Sequence, residues 1–162
     1  LATLALATPG QAIELDNGVT GLGAATVNVV EGGGVDTFNL TGLRQDDNST
    51  VTTNVLNVYA AFARLGDETF LLGTTTTVDE ALVGNAVVSS GSFTGTDGNT
   101  IDWTASSTLA NGSTLLTTAY DFTAQSGSLG DLTLFQFADQ DAFDEEDDIF
   151  FERGSVAGED LQ

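Results

Sequence analysis

A chain of 162 residues with 24 Asp and Glu against three Arg, and with no Lys, His or Cys, carries a formal net charge of -21. So negative a surface repels phosphate backbones and anionic headgroups, which are bound through clustered Lys and Arg; nucleic acid and membrane insertion are therefore not expected, and cations are the natural partners. The missing side chains also exclude an imidazole base, a thiolate nucleophile, a Cys/His zinc or haem site and lysine chemistry, leaving carboxylates, hydroxyls and oxygen-bound hard cations.

Hydrophobic residues make up 41% of the chain, enough to build one ordinary core, so a single domain is expected and wholesale disorder is not. Residues 1–12, LATLALATPGQA, carry no charge. Gly10 and Ala12 sit where a signal peptidase requires small residues, which places the expected cut before Ile13. The stretch is too short to span a bilayer, which takes about 20 apolar residues. Without a basic front it reads as part of a signal peptide, with 13–162 as the domain; an amphiphilic first strand is the competing reading.

Beyond residue 12, helical spacing is scarce, and short alternating runs are separated by Gly, Asp and Asn clusters. The expected strands are 25–30, 35–40, 51–64, 68–76, 85–93, 100–109, 115–123 and 131–138. Gly66-Asp67, Thr96-Asp97-Gly98-Asn99 and Ala110-Asn111-Gly112-Ser113 read as the turns between them, since Gly and Asn accept the positive φ of tight hairpins. The run 78–83, VDEALV, is the one stretch that reads as a helical turn. In 115–123 the residues Leu116, Tyr120 and Phe122 share a face. In 131–138, Phe135 and Phe137 face one way and Leu132 and Leu134 the other, which predicts a strand central to the structure. Gly158-Glu159-Asp160 reads as a turn before a further strand, so the expected domain is truncated at its C-terminus. Strands about ten residues apart without intervening helices predict an all-β, antiparallel two-sheet β-sandwich, jelly-roll-like or larger, with little helix.

The one concentrated chemical feature is 139–148, DQDAFDEEDD, in which seven of ten residues are carboxylates. In extended geometry Asp139 and Asp141 project the same way with Cα atoms about 6.6 Å apart. Two charges at that separation repel by about 0.6 kcal/mol in water and about 2.5 kcal/mol at an effective dielectric of 20. Calcium relieves such repulsion by taking six to eight oxygens at about 2.3–2.6 Å. Asp139, Asp141, Asp147 and Asp148 are the ligands such a site would use, with Asp144 in reserve. The pattern is not an EF-hand, because Asp144 stands at the sixth position where Gly is needed and Phe150 at the twelfth where Glu is needed. A solvated acidic loop accounts for the same residues, and both readings stay open.

Other features carry less. Glu31-Gly32-Gly33-Gly34-Val35-Asp36 reads as a hairpin loop before a calcium repeat, and Asp46-Asp47-Asn48 as a turn. Trp103 and Tyr120 would suit a sugar-stacking platform, yet they are in phase with apolar neighbours, which favours core packing. Asn39, Asn48 and Asn111 head glycosylation sequons of the kind that arise by chance in Asn- and Thr-rich chains.

Four further pieces follow in order: Trp103-Thr104, the turn Ala110-Asn111-Gly112-Ser113, the strand Tyr120-Asp121-Phe122, and an apolar strand from Leu132 to Phe137-Ala138-Asp139-Gln140-Asp141. Asp147-Asp148 and the glycines Gly154 and Gly158 complete the pattern. Over about residues 103–160 the chain resembles a group of bacterial exported and surface-associated β-sandwich domains, including those of exosortase-sorted proteins. It departs from them in having Phe137 where Tyr is expected and extra acids at 144–146. The resemblance implies an exported β-sandwich and no particular activity.

The leading expectation is a non-catalytic, secreted or cell-surface adhesion or structural module, calcium-stabilised if the acidic run is a site. Its further partners would be polysaccharide or other surface proteins. The alternative is a carbohydrate-binding or accessory β-sandwich of a polysaccharide-degrading enzyme, which predicts exposed aromatics in a row. A carboxylate-pair glycosidase is the one enzymatic reading. With 24 acids, pairs at the about 5–5.5 Å or 6.5–9.5 Å it needs arise by accident.

Overall fold

The computed structural model describes residues 12–43, 47–56, 58–75 and 77–139, together with two short strands nearer the C-terminus. The strands are β1 (Ile13–Asp16), β2 (Ala25–Val30), β3 (Gly34–Leu43), β4 (Thr50–Leu56), β5 (Val58–Leu65), β6 (Glu68–Leu71), β7 (Thr77–Val83), β8 (Ala86–Thr94), β9 (Thr100–Leu109), β10 (Leu116–Ala124), β11 (Leu132–Asp139), β12 (Ser155–Val156) and β13 (Glu159–Asp160). Two 3-10 turns, Glu31–Gly33 and Leu72–Thr74, are the only helical pieces among the described residues. The chain is an all-β, antiparallel two-sheet sandwich, as its patterning predicts.

The first sheet runs β1-β2-β3-β5-β11, with β4 paired to β3 and β6 to β5. β11 pairs with β5 along its whole length, from Leu132 opposite Leu65 to Asp139 opposite Val58. A strand has only two hydrogen-bonding edges, so β6 and the start of β3 share the other edge of β5. The long strand expected over 51–64 is thus present as β4 and β5. The second sheet is the meander β10-β9-β8-β7. Its β8–β9 and β9–β10 turns are the ones the sequence marks, with Gly98 at φ 80° and Gly112 at φ 74°.

Strict alternation on β9 places Ile101, Trp103, Ala105, Ser107 and Leu109 inside. Two apolar clusters result. One gathers Leu15, Ala25, Val27, Val29, Val35 and Phe38 against Val87 and Leu109. The other gathers Ala61, Ala63 and Leu72 against Phe93, Ile101, Trp103 and Ala105. Phe70 of β6 stacks on Phe93 of β8 with centroids 4.5 Å apart, tying sheet to sheet.

Several expectations need correction. Residues 78–83 form part of β7, not a helical turn. Gly84 at φ 63° turns the chain into β8, and Val83 opposes Ala86 across a two-residue loop. The alternation is hidden because the inward position 80 carries a glutamate. β11 is a terminal strand of its sheet among the described residues, not a central one. Leu132 and Leu134 pack on the second cluster. On the opposite face Phe135 lies under the Arg64 guanidinium, 5.1 Å from its centroid, so a cation on the same sheet partly covers that face. The expected strand 68–76 ends at Leu71 and turns into the second 3-10 turn. Ile13–Asp16 adds a first strand that the sequence does not mark, and Glu159 and Asp160, expected in a turn, pair with Val156 and Ser155.

Candidate functional site

Of the five acidic residues expected to form a calcium site, Asp139 closes β11 opposite Val58. Asp141, Asp144, Asp147 and Asp148 lie outside the described residues. Among the described residues no three acidic side chains gather into a group able to hold a metal. The described part of the acidic run is thus Asp139 alone, at the end of β11 beside the start of β5.

Asp131, just before β11, stands at the opposite end, where the sequence offered only turns. There the β5–β6, β8–β9 and β10–β11 connections enclose a cleft of about 640 Å³. Asp67, Glu68, Asp97 and Asp131 line it together with Asn99 and Ser128. Glu68 Oε2 accepts a bond from the Thr96 amide at 2.6 Å, and Asn99 Nδ2 donates to the Ser128 carbonyl at 2.9 Å. The loops are thereby fixed to one another before any ligand arrives. Asn99 Oδ1 is buried without a hydrogen-bond partner, which leaves one acceptor of this loop set unsatisfied. The cleft's only trace in the sequence is that each of the three connections carries Gly beside an acid, and nothing there tells that they converge.

A second feature lies between the sheets. Cross-strand pairing sets Glu80, Ser89, Ala105 and Tyr120 in one row across the inner face of β7, β8, β9 and β10. Ala105 and Tyr120 belong to the second apolar cluster, and Glu80 and Ser89 bring polar groups to its edge. The Glu31–Gly33 turn of the opposite sheet sits against the row, touching β7, β8 and β9. Gly33, at φ 70°, comes so close that a Cβ there would meet Ala105 Cβ at 2.8 Å and Tyr120 Oη at 3.1 Å. Gly32, at φ 76°, is pressed against Leu72 and Gly73.

The polar groups of this region are bonded to one another. Ser89 Oγ donates to Glu80 Oε1 at 3.1 Å, and Ser107 Oγ shares a bond with Thr118 Oγ1 at 2.9 Å. The Tyr59 and Tyr120 hydroxyls are bonded to each other, and Tyr120 Oη faces the Gly33 carbonyl at 3.5 Å, at the long limit for a bond. Burial raises the pKa of both phenols, most for Tyr120, where the neighbouring Tyr59 adds to the rise. Burial pushes the Glu80 carboxyl up to about 7; the Ser89 bond opposes this and Glu31 adds to it. Asp47, on the surface, is instead held low by the hydroxyl and amide of Ser49.

Trp103 is a core residue. It is 1% exposed, and its Nε1 donates to Thr75 Oγ1 at 3.0 Å. Tyr59 and Tyr120 are half-buried and turned toward the core. Trp103 and Tyr120, the aromatics expected to suit a sugar platform, thus do not form an exposed row. On the flank of the sandwich, Phe38, Val55, Leu56, Tyr59, Leu115 and Leu116 line an apolar groove of about 610 Å³.

No protein-family model, no curated protein and no solved structure matches this chain, so its reading rests on its own residues. No helix among the described residues is long and apolar enough to cross a membrane.

Proposed function

We propose that this chain is a non-catalytic module of the cell exterior, an adhesion or structural domain whose acidic run binds Ca²⁺ where β11 ends. The observation that carries the reading is the placement of Asp139. Asp139 ends β11 opposite Val58, so the run of carboxylates begins where that strand stops, and its charge density is what supports a cation as its ligand. The resemblance of residues 103–160 to exported β-sandwich domains supports the same reading. So does the position of Glu80: the described carboxyl most displaced toward neutrality lies between the sheets and does not line the cleft.

Calorimetric titration with CaCl₂ and melting with and without EGTA test the metal. The expected result is saturable binding and a melting temperature that rises with Ca²⁺ beyond the rise given by NaCl of matched ionic strength. Asp139→Asn, Asp141→Asn and Asp148→Asn should each weaken it. A response equal to that of NaCl would reduce the acidic run to a solvated loop.

The cleft between the loops favours a second reading, a carbohydrate-binding module. Carboxylates and carbonyls converging on a preformed cleft suit the hydroxyl donors of a sugar. Affinity electrophoresis through polysaccharide gels tests it. Retardation that Asp97→Asn abolishes would favour this reading, and unretarded migration in every gel would remove it.

A further inference from the structure

We propose that Glu80, with Glu31 facing it from the opposite sheet, is a proton-operated latch: while Glu80 holds its proton, edge strand β7 stays closed on the Glu31–Gly33 turn, and ionisation of Glu80 releases β7. This goes beyond the module reading and does not depend on it.

The geometry begins with a buried acid. Glu80 is 8% exposed, and its hydrogen bond comes from a neutral hydroxyl, that of Ser89. A carboxylate taken out of water needs a cation or several donors, and otherwise it keeps its proton. Among the described residues neither surrounds Glu80. β8, its one strand neighbour, has no titratable residue, and the turn packed on β7 supplies Glu31, another acid. The one basic side chain among the described residues, Arg64, lies over Phe135 on β11 of the other sheet. Burial and Glu31 accordingly raise the Glu80 pKa to about 7.

The moving part follows from the topology. An ionised Glu80 has to gain water and distance from Glu31. The turn cannot yield, because Gly32 and Gly33 are wedged against Gly73 and Ala105. β8 is held on both edges, by β7 and β9. β7 is an edge strand, bonded only to β8 among the described residues, so it can swing outward without breaking the rest of its sheet. The sign is that of an acid whose pKa is raised in the closed state from 4.5 to about 7. Its contribution to closure is full below the lower value and is lost as pH rises through the upper one.

Hydrogen exchange of the whole chain, corrected for the intrinsic effect of pH, reads the latch strand by strand. From about pH 5 to about pH 8, protection of the β7 amides is expected to fall by roughly tenfold or more, while that of β9 holds, since each pKa unit is worth a factor of ten. Glu80→Gln should abolish the fall. Glu31→Gln, which removes the facing charge, should move its midpoint to lower pH. Protection of β7 that is flat with pH would overturn the proposal, as would a fall that Glu80→Gln retains or that β9 shares equally. Should Glu80→Gln not fold, the Glu80 carboxyl carbon in the wild-type chain decides by NMR titration: a midpoint near 7 supports the latch, and one below about 5 removes it.

Discussion

Asn17 is 1% exposed, and its side chain is fully hydrogen-bonded. Its Nδ2 donates to the carbonyls of Gly23 and Ser113, both at 2.9 Å, and its Oδ1 accepts from the amides of Val19 and Ala25, both at 3.1 Å. Its own carbonyl accepts from Gly112 at 2.7 Å. One side chain thereby joins the β1–β2 connection to the β9–β10 turn of the other sheet. Asn17→Ala strands several of these groups at once, which should destabilise the chain by about 3 kcal/mol. Urea unfolding should show a lowered midpoint at an unchanged slope. The sequence does not mark Asn17, because its decisive partner lies 96 residues away.

Among the elements, the Glu31–Gly33 turn holds the sheets in register. Its glycines are legible as a loop, but only the packing distinguishes them from the other glycines. Gly33→Ala drives a methyl into Ala105 and Tyr120 at a residue already at φ 70°, a loss of about 2–4 kcal/mol from overpacking and backbone strain together. Gly112→Ala is the matched comparison. It has φ 74° with nothing within 4 Å of the added Cβ, so backbone strain acts alone there and costs about 1 kcal/mol. Chemical denaturation of the two variants separates overpacking from strain, and equal losses would mean that the turn is not wedged. β2 and β9 are legible to the residue because their apolar alternation is uninterrupted. β7 is not, because its inward position 80 is polar for a reason that lies in other strands: the serine beside it and the turn above it.

For the molecule as a whole, the charge imbalance predicts self-repulsion. With a net charge of -21, screening should favour the compact state. The melting temperature should therefore rise by several degrees as NaCl goes from about 0.02 M to about 0.5 M, over which the Debye length falls severalfold. Scanning calorimetry checks this, and it supplies the baseline against which any calcium effect is judged. A melting temperature that falls with salt would mean that attractive pairs outweigh the repulsion.

By itself, the sequence determined the class of the fold, most of the strands, the hairpin turns and the sign of the surface, because alternation, glycine φ preference and charge count are local properties. It also located the acidic run at the end of β11. What only the tertiary structure decided is which locally separate pieces meet. The convergence of two hairpin loops and the β10–β11 crossover on one cleft, the edge position of β11 among the described residues, the reach of Asn17 to Ser113 and the opposition of Glu31 to Glu80 all follow from strand order and sheet stacking. Those depend on long-range pairing energies summed over the whole chain, and no window of residues contains them.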